Sequence, residues 1–253
     1  DVYKRQDLKP GGIPETTTPR GSRQGGPFLL ERIEPGDWVS IEVIDIEVGP
    51  YGYYNNGGPF RGSLRSVAPV KDDLLHFPPD FVVPIRPMIG VMQLAPVSEH
   101  PGPWNHGGNM DYNRIKEGVT VYFPVFAEGA LFFLGDGHAL QGDGEMDGTG
   151  VEISMDVRFR LDLIKGQAIQ WPRAEDEEYL MVCGNVRPLD QAVQHATTEM
   201  VRWLETGYAL TTREAHMLLG RVAEYDIGNM YDPAYTMVCK VPKDVLIGLG
   251  LPS

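Results

Sequence analysis

Two short segments of the 253-residue chain concentrate ionisable side chains beside glycines. The first is Pro103-Trp104-Asn105-His106-Gly107-Gly108-Asn109-Met110-Asp111. The second is Gly135-Asp136-Gly137-His138-Ala139-Leu140-Gln141-Gly142-Asp143-Gly144-Glu145. Residues of these types suit a divalent metal. Zinc takes imidazole nitrogen and carboxylate oxygen, and its catalytic sites usually combine three protein ligands with one open position. Asp136-x-His138 spacing puts both side chains on one face of an extended strand. The glycines let backbone approach an ion or a small substrate with no Cβ in the way. An acid beyond the ligands, such as Glu145, could carry a proton between water and a leaving amine. A metal would polarise an amide carbonyl and lower the pKa of bound water to about 7. The same Gly/Asp-rich segment would also serve as an ordinary turn, with Asp143 and Glu145 as solvated acids. Spacing alone leaves both readings open.

Each segment borders an apolar strand candidate, so both are expected on loops at strand ends. Residues 1–25 show no periodic pattern and read as an extended or disordered lead-in, with Asp1–Gln6 a truncated or chimeric start. The domain proper is expected over 26–253. Glu34-Pro35-Gly36-Asp37 is a turn that leads into Trp38–Val48. There the alternation of Val39, Ile41 and Val43 shifts phase to Ile44, Ile46 and Val48, which points to a bulge or a doubly buried strand. Tyr51–Gly62 reads as a long surface loop. Pro84–Leu94, Val119–Leu134 and Tyr235–Val241 are further strand candidates. Val151–Leu163 alternates over its whole length, as a half-buried antiparallel strand does.

Helices are expected only late. Leu189, Ala192, Val193, Ala196, Met200 and Leu204 form one apolar stripe. A second helix starts at the Thr211-x-x-Glu214 capping box, with Ala215, Leu218, Leu219 and Val222 inward. Strands first and a helical pair near the C-terminus argue for a β-rich α+β fold with barrel- or sandwich-like antiparallel sheets.

Charge and composition exclude some functions. The formal net charge is −13, from 35 acidic and 22 basic residues. Such a chain would be repelled by nucleic acid or anionic lipid, and no basic run offsets it. No apolar stretch reaches the roughly 20 residues of a membrane-spanning helix, and the start lacks the apolar core of a signal peptide. Two cysteines without a CxxC partner fit a reducing cytoplasm. Cys183 lies in an apolar run and reads as a small buried hydrophobe. His76, His100, His195 and His216 lie outside any motif.

The segment 135–145 resembles the signature of the acetamidase/formamidase family, and so does His106-Gly-Gly-Asn-Met-Asp111. The likeness extends to Glu34-Pro35-Gly36-Asp37, Pro84–Val91, Tyr122–Phe126 and Trp171–Glu175, in the family's order. It implies a β-rich fold with packed helices, a divalent metal (usually zinc), homo-oligomers, and hydrolysis of small aliphatic amides. Residue by residue, it places the metal at Asp136 and His138 with His106 as the next ligand. Glu145 would be the acid/base, with Asp143 behind it. Gly107, Gly108, Asn109, Asp111, Gly137 and Gln141 would line the pocket or orient ligands. A lactam or larger amide is the alternative substrate. The resemblance also implies a further N-terminal portion before Gly26-Pro27. A homologue silenced by its loss is the alternative from another class.

Overall fold

The computed structural model of the chain describes residues 2–5, 24–55, 65–96, 104–166 and 168–251. Residues 6–23 of the expected lead-in, 56–62 of the expected loop, and His100 lie outside them. Among the described residues, the regular elements of the first half of the chain are all strands: β1 (Val2–Arg5), β2 (Gln24–Phe28), β3 (Trp38–Asn55), β4 (Arg65–Lys71), β5 (Leu74–Phe77), β6 (Phe81–Pro84), β7 (Met88–Gln93), β8 (Gly107–Asn109) and β9 (Thr120–Pro124). Then come β10 (Phe132–His138), β11 (Glu152–Ile164), β12 (Arg173–Glu175) and β13 (Tyr179–Asn185). Helices α1 (Leu189–Tyr208) and α2 (Thr212–Val222) follow, then β14 (Glu224–Asn229), β15 (Thr236–Pro242) and the short α3 (Lys243–Gly248).

The strands form one curled sheet in the order β14-β15-β13-β12-β9-β3-β11-β10-β7-β8. Each pairing between these strands is antiparallel, as the sequence suggested. Its long axis is the β3–β11 ladder. Asp45 pairs with Arg158 and Val43 with Phe159, so Ile44 is the extra residue of a bulge. That is where the alternation of the sequence changes phase. One added residue turns the following side chains to the opposite face. Val39, Ile41 and Val43 are thus fully buried, while Ile46 and Val48 pack partly buried against the same core. On β11, Ile153, Met155, Val157 and Phe159 point inward, and Arg158 and Arg160 pair with Asp45 and Glu42 on the outer face.

Helices α1 and α2 cover the β13–β15 end of this sheet and build a second core. Ala196, Met200 and Leu204 of α1 and Ala215 and Leu219 of α2 pack there with Leu180, Val182, Cys239 and Val241. The capping box forms: Glu214 N–H donates to Thr211 Oγ1 and Thr211 N–H to Glu214 Oε2. Both cysteines are free and buried, and burial pushes the Cys183 thiol up to about 12, where it is inert at neutral pH. No helix among the described residues is long and apolar enough to cross a membrane.

Three expectations need correction. Tyr51–Asn55 are not loop; they extend β3 and pair with β4. The apolar run 119–134 is two strands, broken where Gly129, Ala130 and Leu131 take positive φ. Asp136 and His138 lie inside β10, not on a loop beyond it.

Candidate active site

The two ends of the sheet order are β14 and β8, and they meet. Asn109 of β8 donates through Nδ2 to Asp232 Oδ2, just past β14. Asn229, the last residue of β14, donates to Asp111 Oδ2 at 2.8 Å. Gln141 Nε2 reaches both Asp111 O (2.5 Å) and Gly228 O (3.2 Å). The curl of a twisted sheet is thus closed by side chains instead of a backbone ladder. Buried ionisable residues gather along this seam.

His138 is at its centre and fully buried. Both protons of the Gln141 amide go to carbonyl oxygens, so its Oε1 faces His138 Nδ1, 2.8 Å away. In the neutral imidazole this fixes the proton on Nδ1 and leaves the lone pair on Nε2. The ring fits only because residue 150 is glycine: a Cβ there would stand 2.4 Å from Nδ1. Nε2 lies 3.1 Å from Glu152 Oε1 and 3.8 Å from Asp136 Oδ2. Neither contact has hydrogen-bond geometry, so Nε2 is a buried nitrogen without a hydrogen-bond partner. Asp136, His138 and Glu152 form one group whose ligating atoms lie within 4.8 Å of one another; Asp111, His138 and Glu145 form a second.

Electrostatics say the same. Burial pushes Asp136 up to about 8, helped by the charge of Glu152. It pushes Glu145 up to about 7, with Asp232 and Glu152 adding repulsion against the opposing pull of His138. Asp111 is held well above the carboxylate range by burial and by Glu145 and Asp136. Burial disfavours a charged His138, but Glu152 and Asp136 outweigh it and raise the imidazole well above its usual value. So many acids in one buried place are costly unless a cation relieves them. Imidazole nitrogen plus carboxylate oxygen is a donor set that fits a divalent ion.

The backbone is bent to make this cluster. Asp111, Asp136 and Glu145 all have left-handed φ, at 44°, 57° and 45°. That conformation is uncommon for Asp and more so for Glu, and it persists where surrounding structure imposes it. At residue 90 a Cβ would stand 2.5 Å from Asp111 Oδ1 and 3.0 Å from Asp136 Oδ2. Glycine there leaves room between the two acids. Asp111 Oδ1 has no hydrogen-bond partner and opens onto that space.

Of the residues singled out in the sequence, Asp136, His138, Glu145, Asp111 and Gln141 come together. Asn109 touches the cluster through Asp232. Asp143 stands apart, exposed, with its carboxylate on Asn113 Nδ2. His106 belongs to neither ligating group. It is buried, stacked on Trp104 at 5.8 Å, and burial lowers its pKa to about 4. Gly107, Gly108 and Gly137 face Phe123, Trp104 and Met155 at close range, so their missing side chains serve packing. Sequence reasoning missed Glu152, which looked like one more outward acid of β11, and also Gly90, Asn229 and Asp232. Nothing in the local pattern marked Glu152; only the β10–β11 pairing sets it opposite His138.

Comparison with known proteins bears on the family and the fold. The family model described as Acetamidase/Formamidase family matches residues 90–247, a span that holds every residue of the cluster from Gly90 to Asp232. The acetamidase of Mycolicibacterium smegmatis is 42% identical over 65 residues, a stretch covering 25% of this chain and only 16% of that protein. The crystal structure of acetamidase from Yersinia enterocolitica aligns with a TM-score of 0.82 at 31% identity, over 89% of this chain and 74% of that one. That of acetamidase from Bacillus halodurans gives 0.80 at 33%, over 88% and 79%. With a family match over more than half its length and the same fold as two acetamidases, the chain belongs to the acetamidase/formamidase family.

Proposed function

We propose that the chain hydrolyses the C–N bond of a small linear amide, of the formamide or acetamide kind, to a carboxylate and ammonia. The observation that carries this is the buried His138 Nε2, its tautomer fixed by Gln141, facing Asp136 and Glu152 with no hydrogen bond of its own. Those three side chains are the proposed seat of a divalent ion, with zinc the ion that one imidazole and two carboxylates suit. When bound, such an ion polarises the amide carbonyl and lowers the pKa of water to about 7. Gln141 orients the imidazole, the usual duty of the group behind a ligating histidine. Glu145, held near 7 by burial, is poised to take a proton from the attacking water and return it to the leaving nitrogen. The acetamidase relatives support the choice of small amides.

The direct test is ammonia release from a panel of formamide, acetamide, longer amides and a lactam. Turnover of the short linear amides is expected. A folded, metal-loaded protein that releases no ammonia from any of them would remove the proposal.

Gly90 offers a second check. An alanine methyl would press on Asp111 Oδ1 and Asp136 Oδ2. Overpacking of this kind costs about 1–3 kcal/mol. The share of that cost met by displacing Asp136 Oδ2 from the seat should weaken zinc binding in Gly90→Ala roughly tenfold, read in competition with a chromogenic chelator. Unchanged affinity would count against Asp136 as a ligand of the ion.

Self-association and a cytoplasmic location complete the proposal. Two buried free thiols suit a reducing compartment. Sheet edges are commonly covered by another subunit. Light scattering should give a multiple of the 28.1 kDa chain mass, and the chain mass itself at micromolar concentration would refute this.

A further inference from the structure

We infer that Asn229 is a positioning residue that gathers Asp111 and Glu145 into one pair beside the proposed ion seat. The inference rests on the amidase reading above. Asn229 is completely buried at the end of β14. The β14–β15 register slips between Ile227 and Asn229, so Gly228 is an extra residue, and a bulge of this kind re-aims the side chain that follows it. The orientation of the amide is fixed. Its Oδ1 accepts from Tyr231 N (2.8 Å) and Asp232 N (3.0 Å), so the nitrogen must face the acids. Nδ2 stands 2.8 Å from Asp111 Oδ2, 2.7 Å from Glu145 Oε2 and 2.9 Å from Asp232 Oδ2.

Three carboxylate oxygens thus converge on a group with two protons. Asp232 has a second donor in Asn109 Nδ2, which leaves the Asn229 protons to Asp111 and Glu145. A neutral donor does here what a lysine could not. It draws two carboxylates together without cancelling the negative charge that a cation needs. By engaging Oδ2 of Asp111 it also leaves Oδ1 free over Gly90, on the side of Asp136. Glu145 is thereby held in one orientation for proton transfer, although residues 145 and 229 lie on different elements.

Asn229→Leu and Asn229→Asp test this, with thermal melting, zinc content, kcat and KM measured on the short-amide panel. Leucine removes the amide. Aspartate removes both donors but keeps an acceptor for the two backbone N–H groups, so the turn survives. In the folded variants kcat should fall about 10–100-fold, the usual effect of losing such a partner. Zinc should be retained and KM should change little, because positioning acts on the transition state. Wild-type kcat in either folded variant would overturn the inference, and so would zinc loss in step with rate or failure of both to fold. A wild-type protein that hydrolyses no amide would instead refute the amidase reading, and the inference with it.

Discussion

His138→Ala is expected to lose both the bound divalent ion and the hydrolysis of short amides. Nε2 is the nitrogen donor of the proposed seat, and its nearest carboxylate contacts are Glu152 and Asp136 at 3.1 and 3.8 Å. Alanine leaves the acids at this site without their imidazole. They repel one another, and a two-carboxylate seat holds zinc far less well than one with nitrogen. Lewis-acid stabilisation is worth several kcal/mol, so kcat/KM should drop on the order of 10³-fold or more. Melting must be measured alongside, because an ion that binds only the folded state also stabilises it. Elemental analysis showing a full complement of zinc in the folded variant would contradict the assignment.

Glu145→Gln should separate the ion from the proton. The amide keeps the shape of the side chain but cannot accept a proton from water. If Asp136, His138 and Glu152 hold the ion, zinc content should stay at the wild-type level while kcat falls about 10²–10⁴-fold, the usual worth of a positioned acid/base. Zinc loss in this variant would instead move the seat to the other group, Asp111 with His138 and Glu145, whose atoms also lie within reach of one another. An unchanged rate would make Glu145 a bystander.

Regular local pattern made much of the fold legible. The alternation of 151–163 gave β11, and the Thr211–Glu214 box gave the start of α2. The phase shift at Ile44 left a bulge as one of two readings, and the β3–β11 register decides for it. Strand β14 was unreadable because Glu224-Tyr-Asp-Ile-Gly-Asn has no sustained alternation; it is an edge strand with a bulge, and its side chains serve the site as much as the core. The Asp-x-His spacing singled out two side chains that do lie together, though for an incomplete reason. It assumed a regular strand, whereas Asp136 is turned by its positive φ. Glu152 was hidden because in an alternating strand a ligand and a solvated acid look alike. Asn229 is 118 residues from Asp111 in sequence, and only the closing of the sheet brings them together.

The proposed chemistry turns on where the ion sits. The most direct measurement is a crystal structure of the zinc-loaded protein, with anomalous data collected at the zinc edge. A peak is expected about 2.0–2.2 Å from His138 Nε2 and from one carboxylate oxygen each of Asp136 and Glu152. His138 Nδ1 should still be on Gln141, and Glu145 should lie outside the ligand set. A peak ligated by Asp111 and Glu145, one at His106, or a fully loaded protein with no anomalous density at His138 would contradict it.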